Sequence, residues 1–457
     1  MAGIGFELRK IVKKDSLLSL AQMYGYSALL SSGAWVISII AILVVGLINI
    51  ATFGSGSDVL RYQVIVTYAF ALAASLVVTG FIQLPFTRYI ADLIFAKKED
   101  EVFGNYFGVL LVVFVIEMVL FMPAFHYILP EFSAIEEMLV AATFLTLSAV
   151  WISNVLVSSM KYYHSILAAY FFTYGGIVVG SYYFGDDLIT LLFIFFVGNA
   201  TLFFLMLALI VRSYKPVRFI HFGFFKPKGF YYALGFAGLF YNMGTWADKF
   251  IFWYHPMTGN AVIGHINASV VYDLPIFIAY LSIIPGMAMF FYRLEADFAE
   301  KYDLFYDNVR EGGTLNVIRR YRNEMVMVIR KAIREVIVVQ AIVDVIIFLA
   351  APSIFHALHI PQLYLGLFFI LTVGALLQLG LMAVLALLFY IDRRVKAMWL
   401  SVMFFVSNTT LTLISIDMGP SFYGYGYAIS LLFTFSLSIV VIRQTMKRLD
   451  YETFMLQ

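Results

Sequence analysis

Four ionisable residues lie inside long apolar stretches of this chain: Glu117, Asp248, Lys249 and Asp344. An ionisable side chain at the centre of a hydrocarbon layer costs roughly 2.5–3.5 kcal/mol on insertion scales, so each of these residues needs a chemical reason. Carboxylates and an ammonium group fit three kinds of chemistry: ion pairing, proton or cation coupling, and the lining of a water-filled path.

The stretch 241–255, YNMGTWADKFIFWYH, surrounds Asp248 and Lys249 with amides, hydroxyls and aromatic rings. Adjacent residues point about 100° apart on a helix, so we expect these two to need separate partners rather than to neutralise each other. Asp344 is a plausible partner for Lys249. Aromatic faces beside hydrogen-bonding groups are typical of sugar sites. The stretch therefore predicts a translocation path formed or coupled by Asp248, Lys249, Asp344, Asn242 and Trp246.

A structural alternative explains the same charges, because a buried ion pair can fix the register of two helices. Glu117 is a further candidate for the path, although its surroundings, VFVIEMVLF, offer no companion polar residue. It could equally be a carboxylic acid kept neutral by burial. The sequence leaves both alternatives open.

The elements that must position these residues are membrane helices. Of the 457 residues, 62% are hydrophobic and 13% are charged, and the mean hydropathy is +0.91. About twelve apolar stretches reach the roughly 18–20 residues that a helix needs to cross a bilayer. They are 27–53, 62–86, 104–129, 139–160, 165–185, 188–211, 229–254, 274–292, 336–356, 362–391, 397–416 and 421–442. Every Lys and Arg except Arg61 and Lys249 falls on one side of this arrangement. The sequence predicts an all-α polytopic membrane protein with both termini in the cytoplasm.

The basic connection 212–228 divides the predicted spans into two lobes of six helices, 27–211 and 229–442. Secondary transporters often place a substrate path between such halves, so we expect a central cavity. Residues 1–26 are predicted to form a cytoplasmic amphipathic segment, and residues 443–457 a cytoplasmic tail.

One connection, 293–335, is long and highly charged in both signs. Gly312 and Gly313 divide it, so it predicts a cytoplasmic hairpin of two helices. We expect this hairpin to dock a partner through Arg319, Arg320 and Arg322. The alternative is that its cations extend along lipid headgroups.

Several function classes find no support in the sequence. The chain has no cysteine, and it contains no P-loop, H-E-x-x-H or G-x-S-x-G motif. The formal net charge of +2 gives no reason to expect nucleic acid, because the basic residues follow the membrane topology. We predict no catalytic residues, no metal and no cofactor, and hence a protein that is not an enzyme.

Four stretches together resemble the PelG family of exopolysaccharide exporters: MAGIGFELRK, GYSALLSSGAW, YNMGTWADKFIFW and RLEADFAEKYDLFYDNVREGGTL. The resemblance covers essentially the whole chain. It implies the fold of the multidrug, oligosaccharidyl-lipid and polysaccharide flippases, with two six-helix lobes around a central cavity. It also implies a component of a bacterial inner membrane that passes an N-acetylhexosamine-rich polymer outward. The implied partners are a cytoplasmic glycosyltransferase (PelF-like) and two membrane proteins (PelD-like and PelE-like).

The predicted function is translocation of an exopolysaccharide during biofilm matrix synthesis. The main alternative is an ion-coupled flippase or antiporter of lipid-linked oligosaccharide or small molecules. A membrane-embedded transferase and a scaffold for the synthase are further alternatives.

Overall fold

A computed structural model describes residues 17–53, 56–69, 78–160, 162–215, 217–226, 230–357 and 360–455. Most of the described residues are helical, which confirms the predicted all-α membrane fold. The helices of the first half are α1 (Leu17–Phe53), α2 (Gly56–Ala69), α3 (Val78–Phe95), α4 (Val102–Ile128), α5 (Ala134–Ser159), α6 (Tyr163–Phe184), α7 (Leu188–Ser213) and α8 (Tyr232–Tyr254). The later elements are strands β1 (Asn260–Ile263) and β2 (Ile266–Ala268) and helices α9 (Val270–Ser282), α10 (Ile284–Tyr292), α11 (Ala299–Arg310), α12 (Leu315–Ala357), α13 (Leu365–Tyr390), α14 (Arg394–Asp417) and α15 (Tyr425–Met455).

Within the described residues, nine helical stretches are long and apolar enough to cross a membrane. They coincide with nine of the predicted spans. The predicted span 27–53 lies in α1, whose apolar part is Val36–Thr52. The predicted span 62–86 includes parts of α2 and α3. Residues 70–77 are not among the residues that the structure describes. The span 229–254 corresponds to α8, which carries charged and polar side chains. The chain is therefore a multi-pass membrane protein.

The predicted amphipathic segment 1–26 is described only from Leu17 onward, where the backbone already belongs to α1. Residues 1–16 lie outside the described residues.

The chain forms two compact units, and their boundary differs from that of the predicted lobes. Ala34–Val270 forms one unit, called here the N-terminal unit. The described residues of 271–457, with those up to Gly33, form the other, called here the C-terminal unit. Helix α8, predicted to open the second lobe, thus belongs to the N-terminal unit.

Helix α8 packs closely against α3 because glycines line the contact. A Cβ atom added at Gly235 would lie 2.9 Å from the carbonyl oxygen of Phe81. The Phe81 ring meets Phe236 with centroids 5.2 Å apart and an interplanar angle of 73°. A short approach between two helices needs a side chain no larger than hydrogen at the crossing point. This packing places the charged turn of α8 in the N-terminal unit.

Residues 217–226, the central part of the predicted basic connection 212–228, lie along α4. The backbone N–H of His221 donates to the carbonyl of Gly104 over 2.9 Å. The side chain of Asn105 accepts from the N–H of Phe224 at 2.9 Å and lies 3.1 Å from Nδ1 of His221. The ring of Phe224 is fully buried. These contacts fix the described part of the connection within the N-terminal unit.

In the C-terminal unit, α13 packs against α15. The hydroxyl of Tyr427 donates to Oε1 of Gln378 over 2.5 Å, so a buried hydrogen bond joins the two helices. The segment 293–335, predicted to form a cytoplasmic hairpin, contains helix α11 and the first part of α12. Helix α11 ends at Arg310, and Gly312 adopts a left-handed φ of +74° before α12 begins. A left-handed residue of this kind favours glycine.

Candidate functional site

The charged turn of α8 is the centre of the candidate site. The side chains of Asp248 and Lys249 are 0% and 6% exposed, and Nζ of Lys249 lies 3.2 Å from Oδ2 of Asp248. The same Nζ donates to the carbonyl oxygen of Thr245 over 2.7 Å. The expectation that these neighbours do not neutralise each other was therefore wrong. The lysine side chain is long enough to fold back along its own helix, which brings the ammonium group to the adjacent carboxylate.

An aromatic cluster surrounds this turn. Nζ of Lys249 lies 5.8 Å from the ring centroid of Trp246, within the range of a cation–π contact. The ring centroids of Trp246 and Trp253 are 6.1 Å apart. Trp253 in turn stacks on Tyr68 of α2, with ring centroids 4.5 Å apart and an interplanar angle of 22°. The hydroxyl of Tyr68 donates to the carbonyl of Asn267 in β2 over 2.7 Å. The cluster therefore connects α8, α2 and the β-hairpin inside the N-terminal unit.

Asn242, Trp246 and Lys249 share one face of α8, because residues three, four and seven positions apart line up on a helix. Asn242 and Trp246 are half-buried, so both side chains keep some accessible surface within this unit. The face thus combines an amide, an indole ring and an ammonium group. Such a face can offer ring contact and directional hydrogen bonds to the same ligand.

Glu117 lies at a separate buried contact between α4 and α5. It is 2% exposed, and Oγ of Ser148 donates to its Oε1 over 2.6 Å. Its Oε2 is buried and has no hydrogen-bond partner among the described residues. The companion polar residue that the local sequence lacks is thus supplied by the neighbouring helix.

Asp344 belongs to a polar contact in the C-terminal unit. Its Oδ1 accepts from Nε2 of Gln340, one helical turn earlier, over 2.7 Å. Lys249 has its ion pair with Asp248, and the predicted pairing of Lys249 with Asp344 stays a prediction.

Gln340 bridges the break between α9 and α10. Its Nε2 donates to the carbonyl of Ser282 over 3.0 Å, and its Oε1 accepts from the N–H of Gly286 at 3.2 Å. In a continuous helix these two backbone groups would bond to each other, four residues apart. The break comes just before Pro285. The glutamine side chain supplies the hydrogen bonds that the interrupted backbone has lost, and Asp344 helps to orient its amide.

The three predicted docking arginines have different environments. Arg322 donates to Asp450 of α15 over 2.8 Å and is 22% exposed, so it holds the hairpin to the last helix. Arg319 lies 4.0 Å from the same carboxylate, and Arg320 pairs with Glu324 over 3.0 Å. Both remain exposed, which leaves these two available to a partner.

A second polar interior, in the N-terminal unit, was missed from the sequence. The hydroxyl of Tyr174 donates to Oδ1 of Asn199 over 3.2 Å, joining α6 to α7. The amide of Asn49 and the hydroxyl of Tyr62 are buried, without a hydrogen-bond partner among the described residues. Buried polar groups are ordinarily paired. The signal that could have found it is an asparagine within an apolar stretch, as at Asn49 and Asn199.

Within the described residues, no group of three or more His, Cys, Asp or Glu side chains is arranged to hold a metal ion.

Comparisons with known proteins identify the fold. Residues 1–454 match a family model for PelG, described as an exopolysaccharide exporter (EPS-E). No curated protein matches the chain. A MOP superfamily transporter from Pyrococcus furiosus, reported to have a binding pocket of reverse polarity, has a TM-score of 0.65 at 13% identity, covering 93% of this chain and 96% of its own. A MATE transporter in a bent conformation has a TM-score of 0.64 at 14% identity, covering 99% of both chains. The chain shares the fold of these transporters.

The bridge made by Gln340 generates a first prediction. Replacing Gln340 by Leu leaves the carbonyl of Ser282 and the N–H of Gly286 without their side-chain partner in a buried site. An unsatisfied buried group costs about 1–3 kcal/mol, so we expect Gln340→Leu to lower the thermal unfolding midpoint of the purified protein by several degrees. Asp344→Asn, which keeps an acceptor oxygen, should have a smaller effect.

The matched control is Gln362→Leu. Gln362 donates to the carbonyl of Pro352 from an exposed position, where water can replace the bond. Equal midpoints for the Gln340 and Gln362 variants would contradict a bridging role for Gln340.

Proposed function

Because the chain belongs to the PelG family of exopolysaccharide exporters, we propose that it translocates an N-acetylhexosamine-rich polymer across a bacterial inner membrane during biofilm matrix synthesis. Translocation proceeds along the polar and aromatic face of α8. A PelF-like glycosyltransferase supplies the polymer from the cytoplasm, and PelD-like and PelE-like membrane proteins assist. Both termini face the cytoplasm, as the distribution of basic residues predicts.

The observation that carries this proposal is the combination of Asn242, Trp246 and Lys249 on one helix face. A pyranose ring has apolar C–H faces that pack on an indole, and its hydroxyl and acetamido groups bond to an amide. A polymer must also be released after each step. The half-buried side chains of Asn242 and Trp246 suit this need, since they contact a sugar without enclosing it.

The ion pair itself favours a path over a purely structural role. An ion pair between adjacent residues of one helix does not by itself fix the register of two helices. It does neutralise Lys249, which lowers the cost of keeping an ammonium group inside a membrane protein. The pair thus allows a polar, uncharged surface to exist at membrane depth.

The second candidate function is an ion-coupled flippase of lipid-linked oligosaccharide. It is favoured by the buried carboxyl groups Glu117 and Asp344, each of which has one oxygen without a hydrogen-bond partner among the described residues. Such groups can exchange a proton or bind a cation in transporters. In this case, purified protein in vesicles would move a lipid-linked sugar without the glycosyltransferase.

Trp246 provides the main test of the proposed function. In cells that contain the complete synthesis machinery, we expect Trp246→Ala to reduce secreted polymer severalfold and up to about tenfold, because the apolar ring on which a sugar face packs is lost and such contacts contribute about 0.5–1.5 kcal/mol. Secreted polymer is measured with a lectin, and the amount of protein in the membrane by immunoblot. The matched control is Trp399→Ala, since Trp399 is 59% exposed on α14. Normal secretion by the Trp246 variant, at normal protein level, would count against the path on α8.

The ion pair gives a prediction that separates transport from folding. Asp248→Asn alone leaves Lys249 buried without its partner, which costs about 3–5 kcal/mol for a buried pair. We expect this variant to unfold at a lower temperature. The neutral double variant Asp248→Asn/Lys249→Met should regain the unfolding temperature and still secrete little polymer. If the double variant restores secretion as well, the pair has only a structural role.

The exposed arginines of the hairpin carry a prediction about the partner. We expect Arg319→Glu/Arg320→Glu to reduce the glycosyltransferase that co-purifies with this protein severalfold, because two attractive charges become repulsive. The matched control, Arg330→Glu/Lys331→Glu, changes two exposed cations farther along the same helix and should leave co-purification unchanged. Equal losses in both variants would argue against docking at Arg319 and Arg320.

A further inference from the structure

One exposed face of α12 changes character along its length. Exposed cations occupy it as far as Arg334, and between Val338 and Leu349 its exposed residues are all apolar. These apolar side chains are between 50% and 80% exposed: Val338, Ile342, Val345, Ile346 and Leu349. They span about 16 Å of helix, which is close to the ~15 Å depth of one hydrocarbon leaflet. The change from cations to apolar side chains therefore marks the edge of the hydrocarbon.

The acidic residues of the same segment lie on its packed side. Glu324 accepts from Lys301 of α11 over 3.0 Å, and Glu335 accepts from Arg293 over 2.5 Å. These acids thus lie away from the exposed face that carries Arg330, Lys331 and Arg334. Arg330, Lys331 and Arg334 are exposed, and no ion pair with another described residue is found for any of the three.

The helical rise separates these three cations from the other exposed arginines. Arg334 lies about 6 Å above Val338 along the helix axis, and Arg330 about 12 Å above it. The headgroup layer is about 5–8 Å thick, so the long side chains of all three residues can reach it. Arg320 lies about 27 Å above Val338, beyond that layer even if the helix tilts by about 40°.

We infer that Arg330, Lys331 and Arg334 form a binding site for the headgroups of anionic phospholipids. The cations bind the phosphate and its negatively charged substituents, while the apolar stripe from Val338 to Leu349 contacts the acyl chains of the same lipid. This continuity distinguishes a lipid from free phosphate, which would gain nothing from the stripe. The site belongs to the C-terminal unit, whereas the polar face of α8 belongs to the N-terminal unit.

The test uses the full-length protein in nanodiscs made of equal amounts of phosphatidylglycerol and phosphatidylcholine. Lipids retained after exchange into detergent are counted by mass spectrometry. We expect the wild-type protein to retain phosphatidylglycerol preferentially. The triple variant Arg330→Gln/Lys331→Gln/Arg334→Gln should lose that preference by at least about tenfold, as expected for the removal of three juxtamembrane cations. The matched control is Arg310→Gln/Arg319→Gln/Arg320→Gln, which removes the same charge from exposed positions and should retain the preference.

Two further measurements keep the inference open to refutation if the triple variant does not fold. Raising the salt concentration from about 0.05 M to about 0.5 M should weaken the wild-type preference, because screening shortens the range of the attraction. Millimolar inorganic phosphate should not displace the lipid. A preference unaffected by salt, displacement by phosphate, or an equal loss in the control variant would each overturn the site.

Discussion

Much of this structure depends on one constraint: inside hydrocarbon, a polar group has no water to bond with and must find a partner in the protein. Hydroxyl groups of α15 find their partners among the backbone carbonyls of the same helix. Thr434, for example, donates to the carbonyl of Ser430 over 2.8 Å. Lys249 forms an ion pair with Asp248 and donates a hydrogen bond to the carbonyl of Thr245. Gln340 supplies hydrogen bonds to two backbone groups that the break before Pro285 leaves without a bond to each other.

The same constraint decides where a transporter of this kind can be polar. In a soluble protein, charged side chains face the solvent, whereas here the exposed side of α12 is apolar from Val338 to Leu349. Its polar residues at that depth, Gln340 and Asp344, lie on the buried side. Helix α8 follows the same rule, since Asp248 and Lys249 are buried in the N-terminal unit. A sugar polymer that crosses the membrane needs partners of this kind, so the proposed path follows the buried polar side chains.

The general fold was predictable because bilayer thickness sets the length of each span, and apolar runs of that length are visible in the sequence. A break within 293–335 was predictable because a pair of glycines favours the end of a helix, and Gly312 there has a left-handed φ of +74°. The unit boundary was not predictable, since it depends on Gly235 allowing α8 to approach α3. The pairing of Asp248 with Lys249 depends on how one side chain bends. The role of Gln340 was not predicted, because a neutral amide is much less costly in a membrane than a charge. In addition, its backbone partners Ser282 and Gly286 lie more than fifty residues away in the chain.

In helix α12, the helical periodicity places side chains with different contacts on different sides of the same helix. Its acids at 324 and 335 pair with cations of the preceding segment, while Arg322 pairs with Asp450 of α15. These contacts fix the hairpin relative to the membrane-spanning part of the same unit. The exposed cations on the remaining face are then held at defined heights above the hydrocarbon edge. Because those heights follow from a rigid helix rather than from a flexible loop, cations near the headgroups and cations farther out can bind different partners at the same time.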